Sequence, residues 1–217
     1  GLLCSGMLST AHADLLEDIK TRGEIVIGTE ARFPPFEFVK DGKIVGYSSD
    51  LLALIMQDMP EVKVKQMDIP WQGILPGLSA KKFDFIVTSV TATKERSERY
   101  ALSLPIADAT VAMLVQKKSP FTTPESLSGM VVGSQTGSAQ LQALQALNEK
   151  LKASGAKPVT IKEYVGFDEA YADLAAGRLQ GVAQSFSSLS DAVQKRPEIF
   201  RIITPPFGPK VYFCWAA

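Results

Sequence analysis

A cluster of hydroxyl side chains followed by one arginine is the segment of this sequence best suited to bind a ligand. The hydroxyl residues directly follow the apolar residues 85–87, and they are Thr88, Ser89, Thr91 and Thr93. The apolar run is typical of a buried strand, and open α/β sheets bind ligands at the carboxyl ends of their strands. Thr93 is a suitable helix N-cap, which would place Arg96 in the first turn of the next helix.

The position of Arg96 favours a carboxylate site. A cation in the first helical turn opposes the helix dipole, so Arg96 is not placed there for helix stability. A guanidinium can hold a carboxylate through two parallel hydrogen bonds, while hydroxyls and backbone N–H groups satisfy the remaining lone pairs. The alternative is a solvated arginine beside ordinary capping residues, and the local sequence alone does not separate the two.

Alternating strand and helix patterns surround this segment. The predicted order is helix 14–21, strand 25–28, hairpin turn 41–42, helix 50–59, strand 62–67, helix 74–78, the strand before the hydroxyl cluster, strand 111–115, strand 130–133, a helix ending at 152, strand 159–164, helix 167–176, strand 179–184 and strand 210–215. Such alternation predicts an α/β fold. The pattern restarts after the polar residues 116–119, which predicts two lobes with a crossing at that point.

Composition excludes several classes of partner. The chain has 217 residues, of which 46% are hydrophobic, so it can bury a full core. Lys+Arg and Asp+Glu number 23 each, and this balance gives no electrostatic case for nucleic acid or an anionic membrane surface. No apolar run approaches the roughly 20 residues needed to cross a bilayer. A zwitterionic ligand would suit such a chain.

The first thirteen residues have the features of a processed export signal. Residues 1–9 are mostly small and apolar, and Ala11-His12-Ala13 fits the small-x-small cleavage rule. We predict that residues 1–13 are the remnant of a signal peptide; an amphipathic start is the alternative. Cleavage there would remove Cys4 and the single histidine, which leaves Cys214 alone. Disulfides within the chain, metal clusters and histidine catalysis are therefore not expected, and no cofactor is predicted.

Several motifs, in order and at consistent spacing, resemble those of the periplasmic solute-binding proteins of polar amino-acid ABC importers, the family 3 extracellular solute-binding proteins. They are Gly28-Thr29-Glu30-Ala31, Phe33-Pro34-Pro35-Phe36-Glu37-Phe38, Asp41-Gly42-Lys43, Thr91 to Arg96, Glu169-Ala170 and Gly177-Arg178. The resemblance covers roughly residues 20–213. It implies a two-lobed periplasmic binding protein-like fold of type II, in which each lobe is a mostly parallel sheet flanked by helices and hinge strands join the lobes. The expected division is lobe I over 14–115, lobe II over 116–206 and a return crossing to lobe I over 207–217, without the closing C-terminal helices of the family.

The resemblance also implies roles for individual residues. Phe33 would form an aromatic wall against the ligand side chain, with Trp71 as a second ring, and Arg96 would grip the α-carboxylate. Hydroxyl and backbone contacts would come from Thr88, Ser89 and Thr91. N–H groups at a helix start in the second lobe would complete the carboxylate cradle, from Gly137, Ser138 and Ala139.

Two further positions concern the charge of the ligand. Glu30 stands where relatives with basic ligands can place an acid, although an exposed loop glutamate is the simpler interpretation. Ser185 matches the position at which many relatives have an aspartate that receives the ligand ammonium. A hydroxyl is a weaker partner for an ammonium than a carboxylate is.

The function implied by the resemblance is binding of an amino acid in an interlobe cleft and its delivery to an ABC importer. The expected partners are the small amino acid and the membrane permease, with no nucleic acid, and the protein is expected to be a periplasmic monomer without catalytic residues. Two alternatives share the fold. One is the extracellular ligand-sensing domain of a receptor; the other is an enzyme similar to cyclohexadienyl dehydratases, for which Glu30 is the cleft acid that could act on the leaving hydroxyl.

Overall fold

The computed structural model describes residues 14–217. The predicted signal-peptide remnant, with Cys4 and His12, lies outside the described residues. Among those residues, no helix combines the length and the apolar character that a membrane span requires.

Strands and helices alternate along most of the chain. The strands are β1 (Glu24–Thr29), β2 (Arg32–Phe33), β3 (Glu37–Lys40), β4 (Lys43–Val45), β5 (Lys63–Asp68), β6 (Phe85–Thr91), β7 (Ala107–Asp108), β8 (Val111–Gln116), β9 (Val131–Gln135), β10 (Thr160–Tyr164), β11 (Gly181–Ser185), β12 (Phe200–Ile203) and β13 (Tyr212–Ala216). The helices are α1 (Leu15–Arg22), α2 (Tyr47–Met56), α3 (Trp71–Ser79), α4 (Lys94–Ser97), α5 (Ala139–Ala153), α6 (Phe167–Ala175) and α7 (Phe186–Lys195), with a 3-10 helix at Pro124–Leu127. The predicted α/β alternation is confirmed.

The first lobe is built on a five-stranded sheet in the order β5-β1-β6-β13-β7. Strands β5, β1 and β6 are parallel, whereas β13 runs antiparallel to both of its neighbours. Ile27, Ile86 and Val87 are fully buried, because helices cover both faces of a parallel sheet. A small sheet of β2, β3 and β4 is attached to this lobe.

Three of the four residues of the hydroxyl cluster lie within a strand rather than after one, and the fourth, Thr93, caps α4. The apolar run ends at Val87, but β6 continues through Thr88 and Ser89 to Thr91. The reason is that β13 supplies ladder partners at this end, where Phe213 pairs with Thr91. A strand from the far end of the chain thus extends β6 beyond its apolar segment.

The second lobe is built on a sheet in the order β10-β9-β11-β8-β12. Its helix α5 begins at Ser138, whose hydroxyl caps the helix by accepting from the Leu141 N–H at 3.0 Å. The helix packs a leucine stripe into the core at one residue in every three or four, formed by Leu141, Leu144, Leu147 and Leu151.

The strand pairing corrects the predicted position of the first crossing. From the sequence, residues 111–115 were predicted to lie in lobe I and the crossing was predicted at 116–119. Strand β8 instead pairs with β11 and β12, for example Leu114 with Val182 and with Ile202. The crossing therefore lies at Ala109–Thr110, between β7 and β8. Because the first five residues of β8 are apolar, its composition suits the centre of either sheet and does not indicate which one it joins.

Helix α7 and strand β12 were not predicted. The segment 185–190 contains four serines and resembles a polar loop. In the structure Leu189, Ala192 and also Ser188 are buried against the second sheet. Because a serine lies among the buried residues of α7, the apolar face of this helix could not be recognised from the sequence.

Candidate functional site

A cavity of about 10 Å³ lies between the lobes where β1, β6 and β9 end. Its lining comes from both lobes and consists of Glu30, Phe33, Trp71, Ser89, Thr91, Arg96, Gln135 and Gln140. Most of the first-lobe residues predicted for the site thus line this one cavity. A larger groove of about 720 Å³ adjoins this cavity and shares Trp71 and Arg96 with it.

Arg96 is held in the cavity wall by the short helix α4. Thr93 caps this helix by accepting from the Arg96 N–H at 3.2 Å. The Arg96 side chain lies over the Trp71 ring at 5.1 Å, a cation–π contact, and the residue is only 8% exposed. Burial lowers the pKa of Arg96, but a guanidinium remains cationic in proteins.

The hydrogen-bonding capacity of Arg96 is largely unused. Within residues 14–217 its guanidinium makes one hydrogen bond, from Nη1 to the Thr91 carbonyl oxygen at 2.9 Å. A guanidinium carries five N–H donors in a planar fork that matches a carboxylate. Arg96 is therefore a buried cation with donors left for an anionic group, and not the solvated arginine of the alternative interpretation.

Two aromatic side chains form the apolar walls. Phe33 is 5% exposed and packs edge-on against Phe213, with ring centroids 5.7 Å apart, and against Phe167 of the second lobe at 6.0 Å. Trp71, the first residue of α3, donates from Nε1 to the Gly137 carbonyl at 3.2 Å. Both rings thus contact the opposite lobe, so the same side chains line the cavity and join the two lobes.

Glu30 is buried, contrary to the simpler interpretation of an exposed loop glutamate. It is 4% exposed, and one carboxylate oxygen accepts from Gln135 Nε2 at 2.6 Å. Its backbone N–H donates to Thr88 Oγ1 at 2.7 Å, which fixes the end of β1 against β6. Burial raises the pKa of Glu30 to about 8, opposed in part by the hydrogen bond from Gln135.

Glu37 is a buried carboxylate that the sequence analysis did not select. It accepts from Ser48 Oγ at 2.7 Å, from the Ser89 N–H at 2.7 Å and from Ser89 Oγ at 3.3 Å. Burial raises its pKa to about 7. Glu37 therefore positions Ser89 at the cavity wall. Its place between Phe36 and Phe38 in an apolar segment was the one available signal.

The second-lobe cradle differs in part from the prediction. Ser138 Oγ donates to the Gln135 carbonyl at 2.7 Å, and the Ser138 N–H donates to the same oxygen at 3.3 Å. These groups are used within the loop. Gly137, in the left-handed region at φ 70°, lines the larger groove, and Ala139 begins α5. None of these three residues lines the small cavity.

Ser185 also lies away from the cavity. It is fully buried at the start of α7, where its hydroxyl donates to Ser188 Oγ at 3.0 Å. This placement argues against its predicted contact with the ligand ammonium. The second lobe instead presents two amides, Gln135 and Gln140, and Gln140 donates to Gln184 at 2.9 Å.

The charge pattern of the cavity is simple. Among the described lining residues, Arg96 supplies a cation and Glu30 a carboxyl group whose pKa is raised to about 8, and the remaining side chains are uncharged. Such a site can receive a molecule that carries a carboxylate and, at a separate point, a cationic or N–H-rich group. The fold and this site define a two-lobed ligand-binding protein of the type II periplasmic class.

Comparison with known proteins identifies the family. The profile of the bacterial extracellular solute-binding proteins, family 3, matches residues 25–195, and the chain belongs to this family. The lysine/arginine/ornithine-binding periplasmic protein of Escherichia coli is 34% identical over 196 residues, which cover 88% of this chain and 70% of that protein. The L-cystine-binding protein TcyJ of Escherichia coli is 27% identical over 211 residues, which cover 95% of this chain and 76% of that protein.

Solved structures agree with this assignment. Arginine-bound truncated ArgBP from T. maritima aligns with a TM-score of 0.78 at 30% identity, over 92% of this chain and 91% of that one. The arginine-, lysine-, histidine-binding protein ArtJ from Geobacillus stearothermophilus aligns with a TM-score of 0.78 at 28% identity, over 89% and 81%. These relatives are binding proteins, which confirms the predicted fold class and the prediction of a binding protein rather than an enzyme.

Proposed function

We propose that this chain binds an amino acid in its interlobe cleft and delivers it to the membrane permease of an ABC importer. The observation that carries the proposal is Arg96, a buried cation at the cavity with most of its donors unused by the protein. An α-carboxylate is the group common to all amino acids, and a bidentate guanidinium pair would hold it in a fixed orientation.

The residues of the opposite cavity wall indicate what the rest of the ligand is. Glu30 would receive a cationic or N–H-rich group of the ligand, and Phe33 and Trp71 would pack against its aliphatic part. Three relatives support this assignment by name, namely the lysine/arginine/ornithine-binding protein, arginine-bound ArgBP and the arginine-, lysine-, histidine-binding protein ArtJ. Ser185 has no part in it, since its hydroxyl is bonded to Ser188.

Delivery to a permease rests on family membership and on the two-lobed architecture. In such a protein, closure of the lobes over a ligand changes the surface that a transporter meets. We place the chain in the periplasm, like the lysine/arginine/ornithine-binding periplasmic protein, and expect it to act as a monomer.

Isothermal titration calorimetry of the purified chain against the twenty standard amino acids and prephenate tests the proposal. We expect at least one amino acid to bind with a dissociation constant in the micromolar range or below, and prephenate not to bind. Binding of prephenate alone would overturn the proposal. Stimulation of ATP hydrolysis by the importer in liposomes, with the amino acid present, would test delivery.

A further inference from the structure

The orientation of the Gln140 amide is fixed by two hydrogen bonds within the second lobe. The Ser185 backbone N–H donates to Gln184 Oε1 at 2.7 Å, so this side-chain atom is the oxygen and not the nitrogen of the amide. Gln140 Nε2 donates to the same oxygen at 2.9 Å. All three residues are buried, with exposed fractions of 4% or less. Gln140 therefore directs its nitrogen toward Gln184, and its oxygen is left for another partner.

That oxygen, Gln140 Oε1, is an acceptor at the ligand cavity. Gln140 lines the small cavity, and within residues 14–217 its side chain makes only the bond from Nε2 to Gln184. Arg96 lines the same cavity, whose volume of about 10 Å³ is that of one water molecule. A carboxylate held by Arg96 would therefore have the substituent of its α-carbon within reach of Gln140. A ligand without a hydrogen-bond donor on that carbon leaves a buried oxygen unpaired, which is unfavourable.

The second-lobe wall gives an ammonium no advantage over a neutral donor. Its described side chains at the cavity, Gln135 and Gln140, are uncharged. Gln140 is the second residue of α5, a helix of 15 residues, and the N-terminal end of a helix carries a partial positive charge. The one carboxyl group of the described lining, Glu30, belongs to the first lobe and already accepts from Gln135. An ammonium at this wall loses hydration without gaining an anion, whereas a hydroxyl loses much less.

We infer that Gln140 is a specificity-determining residue, whose amide oxygen accepts from a hydroxyl as well as from an ammonium on the α-carbon, so that the site binds 2-hydroxy carboxylates beside amino acids. This inference rests on the proposed function and extends its ligand class. Gln184 is a positioning residue, because it holds the Gln140 nitrogen and leaves the oxygen for the ligand. A carboxylate in place of the amide would instead select the ammonium, since a charge-assisted hydrogen bond is roughly twice as strong as a neutral one.

Ligands with one side chain and different α-substituents test the inference. L-arginine carries an α-ammonium, L-argininic acid a hydroxyl and 5-guanidinopentanoic acid only hydrogen. L-leucine, L-2-hydroxy-4-methylpentanoic acid and 4-methylpentanoic acid form a second series with an apolar side chain. In the series that binds more tightly, we expect calorimetry of the full chain to place the hydroxy acid within about tenfold of the amino acid. The analogue without a donor should bind at least about tenfold more weakly than the hydroxy acid.

Two substitutions at Gln140 change the acceptor. Gln140→Leu removes it, and we expect the preference for the hydroxy acid over the analogue without a donor to fall to less than about threefold. Gln140→Glu replaces it by a carboxyl group, which should raise the preference for the amino acid over the hydroxy acid by at least about tenfold. Circular dichroism of each variant would establish that it folds.

Gln142→Glu is the matched control for the added carboxyl group. Gln142 lies on the same helix, is exposed and lines the larger groove but not the small cavity. We expect this variant to leave the ratio of amino-acid to hydroxy-acid affinity unchanged. An equal change of the ratio in the two glutamate variants would show that general negative charge, and not the Gln140 position, governs the preference, and would overturn the inference.

Two further results would overturn the inference. One is a wild type that binds the hydroxy acid more than about tenfold less tightly than the amino acid; the other is a folded Gln140→Leu variant that keeps the wild-type preference for the hydroxy acid. In either case amino-acid binding that is lost in Arg96→Ala would leave the proposed function standing. If no member of either series binds, the inference is overturned, and the proposed function stands only if another standard amino acid binds.

Discussion

Burial disfavours the charged form of both ionisable side chains of the cavity, Arg96 and Glu30, but with different results at pH 7. Burial lowers the pKa of Arg96, but Arg96 stays charged because a guanidinium is not deprotonated in proteins. Glu30 is held largely in its neutral form at pH 7, since its pKa is raised to about 8. The cavity therefore has a permanent cation at one wall and, at the other, a carboxyl group whose charge depends on pH and on what binds to it.

Removal of the Arg96 side chain tests its role as the anchor of the ligand carboxylate. Arg96→Ala should weaken amino-acid binding by roughly 2–5 kcal/mol, because the carboxylate loses a buried charge-assisted pair. Arg96→Lys should recover only part of this loss, since an ammonium lacks the planar fork. Calorimetry with the tightest-binding amino acid measures both effects.

Arg99→Ala is the control for that experiment. Arg99 follows on the same segment, its side chain is 62% exposed and its exposed ion pair with Glu95 is long, at 4.0 Å. We expect an affinity within a factor of three of the wild type. Equal losses in the two variants would mean that general positive charge, and not the Arg96 site, governs affinity.

The raised pKa of Glu30 predicts how stability depends on pH. Its pKa is 4.5 as a free group and about 8 in the folded chain, so between these values the folded state holds a proton that the unfolded state lacks. The free energy of unfolding should therefore fall as pH rises from about 4.5 to about 8 and then level off. Glu37 contributes in the same direction up to about pH 7.

Glu30→Gln isolates the Glu30 contribution. The glutamine oxygen can still accept from Gln135, but the side chain no longer titrates. At pH 9 we expect the variant to exceed the wild type in unfolding free energy by on the order of 3 kcal/mol, with little difference at pH 5. Urea denaturation at both pH values measures this, and a wild-type stability that rises between pH 5 and 9 would contradict the assignment.

Sequence analysis found some site residues and missed others for a physical reason. Arg96 could be predicted, because a cation in a first helical turn conflicts with the helix dipole and therefore indicates a role other than helix stability. Gln135 gives no such local signal, since polar residues at strand positions are common, and Glu37 gives only its place between two phenylalanines. Their roles come from partners 105 and 52 residues away, which only the folded chain brings near.

At the scale of elements, the packing of α3 on β1 sets the position of Trp71. The ring of Phe83, which is 3% exposed, lies between Gly28 of β1 and Gly77 of α3. A Cβ at Gly77 would lie 2.6 Å from this ring, and one at Gly28 would lie 2.7 Å from it. The two glycines allow the helix to approach the sheet closely. This packing places Trp71, at the start of the helix, in the wall of the cavity.

Gly77→Ala should therefore be destabilising even though alanine favours helix. Overpacking against a buried ring costs about 1–3 kcal/mol, more than the roughly 1 kcal/mol gained in helix propensity. Gly73→Ala in the same helix is the control, because its Cβ would lie 2.9 Å from one methyl group of the half-buried Ile69 and not against a buried ring. Thermal unfolding of both variants tests this, and equal melting temperatures would show that the helix shifts without cost.

The elements themselves were predicted better than their assignment to sheets. Strand β8 was recognised by its apolar residues but placed in the wrong lobe, since two buried sheet centres demand the same composition. Strand β6 was ended too early, because its last residues are paired by β13 from the far end of the chain. Both errors concern pairing between distant segments, on which local patterns carry no information.

At the scale of the whole molecule, the described conformation is closed. Trp71 and Gln72 donate across the cleft to Gly137 and Val165, and Gln135 reaches Glu30. A cavity of about 10 Å³ has the size of one water molecule, which is much smaller than an amino acid. The lobes must therefore move apart at Ala109–Thr110 and at the return segment before β13 to admit a ligand.

Ligand should shift the molecule toward compact forms. Contacts to groups on both lobes favour closure, so an amino acid that binds should lower the radius of gyration measured by X-ray scattering. Gln72→Leu, which removes one interlobe bond, should increase the radius of the ligand-free chain. Superimposable scattering profiles with and without saturating ligand would indicate that binding takes place without closure.

The central claim is that Arg96 holds the α-carboxylate of an amino acid, and calorimetry with a carboxylate-blocked ligand tests it most directly. The amino acid of highest affinity is compared with its α-carboxamide, which keeps the side chain and the α-amine but loses the negative charge. The account predicts that the carboxamide binds at least about 30-fold more weakly to the wild type, as expected for loss of a buried charge-assisted pair. It also predicts that the two ligands bind Arg96→Ala with similar, low affinity. Equal affinity of the wild type for the amino acid and its carboxamide would contradict the account.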